Sequence, residues 1–96
     1  MDLEFLGIIP NTPTDESPTI WRDRETGDLL IQSYKASPAE IAAAQAIGSI
    51  PGHSTDVPDH ETVIRLPEVM LQFLAPLVAQ YLNRLHGVSQ SATPGA

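Results

Sequence analysis

The sequence predicts an α+β fold: a small antiparallel sheet of three or four strands containing a β-hairpin, packed by a long C-terminal helix, with a short connecting helix. Three observations point to it. Two apolar runs flank Glu25-Thr26-Gly27, a third run rich in β-branched residues stops at Pro67, and the stretch from Pro67 to His86 repeats its apolar residues with a helical period. At 96 residues the chain is the size of one domain, expected over residues 1–87, with a disordered tail over 88–96 that holds Ser, Gln, Thr, Pro and Gly without periodicity.

Glu4-Phe5-Leu6-Gly7-Ile8-Ile9 is short and apolar and predicts a strand that ties down the N-terminus, because leaving its large side chains in water is costly. Pro10 to Pro18 contains three prolines among Asn, Asp, Glu and Ser, which suits a loop. The hairpin follows, from Thr19-Ile20-Trp21-Arg22-Asp23-Arg24 to Asp28-Leu29-Leu30-Ile31-Gln32-Ser33-Tyr34, turning at Gly27. Trp21 and Tyr34 are expected to cover one apolar face of it.

Ser37-Pro38-Ala39-Glu40 carries a complete helix-start signal: a serine cap, a proline in the first turn and a glutamate three residues on that can return the capping bond. A helix to Ile47 is expected, peripheral because its alanines bury little beyond Ile41 and Ile47. Gly48 to His60 is rich in Gly, Ser, Pro, Asp and His and reads as a long loop, the most mobile internal segment. Glu61 to Leu66 predicts another strand. From Pro67 one helix is expected to run to about His86, bent at Pro76 where the carbonyl of Gln72 loses its helical donor. Its apolar arc spans about 180°, wider than the ~100° one core face requires. Leu71, Ala75, Val78 and Leu82 lie at one margin of that arc with the spacing of a helix-packing seam, suited to a second helix from a sister subunit or another protein; cover from within the same chain is the alternative.

Composition narrows the function. There is no cysteine, which removes disulfides, thiolate metal sites and cysteine nucleophiles. Twelve acidic against five basic residues give a net charge of −7, which repels a phosphate backbone, so no direct nucleic-acid binding is expected; a basic protein partner suits that charge better. The first residues lack a basic region ahead of an apolar stretch, and the most apolar run, Val69 to Leu82, is interrupted by Gln72, Pro76 and Gln80. A cytoplasmic location without a membrane span is the corresponding expectation.

Catalytic constellations are not evident. No Gly-x-Ser-x-Gly elbow occurs and the six glycines are scattered, so neither nucleophilic hydrolysis nor phosphate cradling is indicated, and no cofactor is expected. His53, Asp56 and His60, with Asp59 and Glu61, offer nitrogen and oxygen ligands for a divalent metal, but they occupy a Pro/Gly loop with no third anchor elsewhere, and a solvated polar loop competes with the metal reading. Together with Trp21 that loop supports an alternative function, small-molecule or metal binding. Arg22 and Arg24 should share a face by strand alternation and make a small basic contact spot, unless neighbouring carboxylates pair with them.

The order Glu4-Phe5-Leu6-Gly7, Pro10-Asn11-Thr12-Pro13, Ser17-Pro18-Thr19, Gly27 to Gln32 and His60 to Pro67 resembles a group of small actinobacterial proteins encoded beside Xre-type helix-turn-helix regulators. It is distantly similar to the small proteins associated with BldB and WhiJ. The resemblance covers about residues 4 to 75 and carries no catalytic residue. It implies a hairpin followed by a Pro-initiated C-terminal helix, and a partner or modulator role in developmental or antibiotic regulation. Together these readings predict a non-enzymatic regulatory interaction protein that forms a homo-oligomer, through Leu71, Ala75, Val78, Leu82, Arg22 and Arg24, and engages a helix-turn-helix regulator.

Overall fold

A computed structural model of the chain describes residues 1–11 and 14–87; the expected tail lies outside them. The fold is α+β. Strands β1 (Leu3–Ile8), β2 (Thr19–Asp23) and β3 (Leu29–Gln32) form an antiparallel sheet in the order β1-β2-β3. The β2–β3 hairpin closes as its sequence requires: Gly27 adopts φ 86°, its N–H donates to the Asp23 carbonyl at 2.8 Å, and the Asp23 carboxylate accepts from the Glu25 N–H at 2.9 Å.

Tyr34 does not belong to this hairpin. Strand β3 ends at Gln32, and Tyr34–Lys35 forms β4, which pairs with β5 (Ile64–Arg65) in a separate two-stranded sheet. Trp21 therefore lies opposite Leu30 and Phe5 rather than beside Tyr34. Ser33 makes the junction, its hydroxyl donating to the Arg65 carbonyl at 2.5 Å. The strand expected over 61–66 is thus only two residues long, extended by one further backbone bond from Ala36 N–H to the Val63 carbonyl. The Tyr34 hydroxyl donates to the Glu16 carboxylate, which raises its pKa above the ordinary phenol range.

Helix α1 (Pro38–Ile47) starts and stops where its sequence signals. The Ser37 hydroxyl accepts from the Glu40 N–H at 3.1 Å, and the Glu40 carboxylate accepts from the Ser37 N–H at 2.8 Å. The other Glu40 oxygen takes Arg65 at 2.5 Å, so a single carboxylate caps α1 and fastens it to β5. No residue of α1 is buried.

The C-terminal region departs from expectation. In place of one long helix there is a 3-10 helix (Glu68–Phe73) and then α2 (Ala75–Leu85), separated at Leu74. Pro76 falls in the first turn of α2, where its missing N–H leaves no helical bond unmade, so it helps to start a helix rather than bend one.

It is the 3-10 helix, more than α2, that covers the sheet. Register between β1 and β2 slips between Phe5 and Gly7, leaving Leu6 as the extra residue of a β-bulge. Gly7 beyond it lies directly against the Phe73 ring, where a Cβ would overlap the aromatic carbons. Ile20, the partner of Gly7 on β2, and Met70 on the 3-10 helix are the fully buried hydrophobic side chains among the described residues. The core is correspondingly small.

Candidate interaction surfaces

Strand alternation divides the three-stranded sheet into two faces. Register places Phe5, Trp21 and Leu30 in one cross-strand row, and Leu3 and Ile8 belong to the same face of β1, on either side of the bulge. Among the described residues nothing closes over this outer face: Phe5 is 60% exposed, Ile8 46%, Leu3 39% and Leu30 38%. Trp21, half-buried, sits at its centre. A row of large apolar side chains in water on an edge strand and its neighbours is a sticky surface unless something covers it.

The helix side of the sheet carries the next row, Glu4, Arg22 and Leu29. A cleft of about 240 Å³ opens between this row and α2, with Leu29, Leu74, Leu77, Val78 and Tyr81 as its apolar wall and Arg22 and Arg84 also lining it. Arg84 lies 6.0 Å from the centre of the Tyr81 ring, at the limit of a cation–π contact.

The residues singled out from the sequence fall in different places. Leu71 lies on the 3-10 helix, Ala75 is the first residue of α2, and Val78 and Leu82 lie within α2. The seam is therefore not one continuous helical stripe, because the change of helix type after Phe73 breaks the spacing. Its members are all exposed, Val78 by 53% and Leu82 by 44%. Arg22 and Arg24 also part company. Arg24 lies in the hairpin turn and pairs with Asp2 at 3.3 Å and Glu4 at 3.5 Å, whereas Arg22 reaches the cleft on the helix side. For Arg24 it is the neighbouring carboxylates, Asp2 and Glu4, that take up the charge, whereas Arg22 forms no ion pair among the described residues.

The 48–60 segment is a series of turns and bends whose middle folds back toward α1, Thr55 and Val57 lining one cleft with Ile41 and Ala44. Among the described residues no three His, Asp or Glu side chains gather in a way that could hold a metal, so His53, Asp56 and His60 are not brought together. His60 instead lies 3.8 Å from Glu61, both well exposed. Among the described residues no helix is long and apolar enough to cross a membrane.

Sequence reasoning missed both the outer sheet face and the cleft. Alternation within Leu3–Ile8 contained the signal for the first, but the bulge at Leu6 shifts the alternation and hides it. Compared with known proteins, the chain matches no family model, no curated protein and no solved structure.

Proposed function

We propose that this is a non-enzymatic interaction protein that self-associates through the outer face of its three-stranded sheet and acts by presenting its acidic surface to a basic protein partner. The observation that carries the reading is the imbalance of apolar burial. Among the described residues Ile20 and Met70 are fully buried hydrophobics, while Phe5, Ile8, Leu71, Val78 and Leu82 are among those exposed. Burial of apolar area supplies most of the drive to fold, and a domain of this size is marginal even with an ordinary core. A second copy laid against Leu3, Phe5, Trp21 and Leu30 would supply the missing burial.

The net charge of −7 supports a basic partner, and the resemblance to proteins encoded beside helix-turn-helix regulators supports a regulator of that type in the role. The exposed α2 residues Val78 and Leu82 offer a helical contact for it.

Sedimentation equilibrium over a hundredfold concentration range tests the self-association. The wild-type chain is expected to sediment as a dimer or larger, and Phe5→Glu/Leu30→Glu to sediment as a folded monomer. A wild-type protein that is monomeric and folded throughout that range would overturn the reading.

A further inference from the structure

We infer that the cleft between the sheet and α2 is a binding site for a small amphipathic anion, a compact hydrocarbon or aromatic body bearing a carboxylate. The argument starts from the arginines. Of the five basic side chains, Arg24 is paired with Asp2 and Glu4, Arg65 with Glu40, and Lys35 lies on β4 away from the cleft. No ion pair is formed by Arg22 or Arg84 among the described residues, and both line this one cleft. Glu4 stands opposite Arg22 in the β1–β2 register, yet its carboxylate engages Arg24. In a chain of net charge −7, two guanidinium groups without a carboxylate partner among the described residues, beside one apolar cleft, are a charge arrangement complementary to an incoming anion.

The rest of the wall selects the body of the ligand. Leu29, Leu74, Leu77 and Tyr81 supply apolar surface and no carboxylate, so a hydrophilic anion such as inorganic phosphate would leave them unsatisfied. The planar forks of arginine match a carboxylate's two oxygens better than a lone ammonium does. A volume of about 240 Å³ corresponds to roughly eight water molecules at ~30 Å³ each, room for the body of a chain or ring of about ten non-hydrogen atoms. The cleft lies on the opposite side of the sheet from the Phe5–Trp21–Leu30 row, so this site and the self-association can each fail without the other.

Octanoate is the probe. Titrated at neutral pH and low salt into the isotope-labelled full chain, it is expected to give saturable amide shifts centred on Leu29 and on residues 74–84. Octanol, equal in length but uncharged, should bind at least fivefold more weakly, as should octanoate to either Arg22→Gln or Arg84→Gln, each of which removes a charge-assisted hydrogen bond. Lys35→Gln, on β4 and away from the cleft, should leave the affinity unchanged. Equal binding of octanol, undiminished binding to both Arg22→Gln and Arg84→Gln, or the absence of saturation would each overturn the assignment. Should Arg22→Gln disturb the β1–β2 pairing, Arg84→Gln decides alone, since Arg84 is exposed near the end of α2.

Discussion

Gly7 shows how little room one residue is given where the core forms. It needs no unusual backbone angle; what demands glycine is the Phe73 ring lying where a side chain would begin. Gly7→Ala must push that ring away from β1 and is expected to lower stability by about 1–3 kcal/mol, the usual range for overpacking. Chemical denaturation would measure it, and Phe73→Leu in the same chain should recover part of the loss by making space. A loss no greater than a few tenths of a kcal/mol would show that the 3-10 helix is not held against the sheet as described. Nothing in the string Phe5-Leu6-Gly7-Ile8 reveals this, because the ring that imposes it lies sixty-six residues away in sequence.

Among the elements, α1 was fully legible because its signals are local: Ser37, Pro38, Glu40 and Gly48 specify the start and end that are observed. What the local code did not show is that Glu40 has a second duty to Arg65. The Ser37 backbone N–H and then the Arg65 guanidinium hold the Glu40 carboxyl below the usual carboxylate range. A carboxylate with a lowered folded pKa stabilises fully above its unfolded value, and the contribution disappears as pH falls through the lowered one. The thermal midpoint of Glu40→Gln should therefore lie below wild type at neutral pH and converge with it in acid. A gap of constant size from neutral to strongly acidic pH would remove the carboxylate from this role. The C-terminal helices were less legible, since Pro67 and Pro76 fit both a bent helix and two separate ones. Only the seating of Phe73 against β1 decides in favour of two. Because α2 lacks a buried residue, Val78→Glu/Leu82→Glu should change the thermal midpoint by a few degrees at most. Its measurable effect should be loss of partner capture in a tagged pull-down. A double variant that keeps both fold and partner would exclude this part of α2 from the contact.

For the whole molecule, stability and association should be inseparable. A chain whose three-stranded sheet is covered in part by the 3-10 helix on one side, with all of β3 exposed, gains further apolar burial from a second copy, so its thermal midpoint should rise with protein concentration by mass action. Dilution through the dissociation range should lower it, and Phe5→Glu/Leu30→Glu should show a midpoint independent of concentration. A wild-type midpoint that does not move while sedimentation shows the oligomer dissociating would separate folding from assembly. The α+β class was readable from the hairpin turn, the capping signal and the proline-bounded segments. The division into two sheets was not, because Ser33 makes the break by a side-chain bond to a backbone carbonyl thirty-two residues further on.

The Phe5–Trp21–Leu30 row has a spectroscopic consequence. Trp21 is the chain's single tryptophan, and it stands in the middle of the face proposed to close. Its emission is therefore an internal gauge of assembly: excited selectively at the red edge of the absorption band, away from Tyr34 and Tyr81, it should shift to the blue as copies come together and return to the red on dilution. Quenching by iodide should follow the same curve, so no label need be attached to the surface under study.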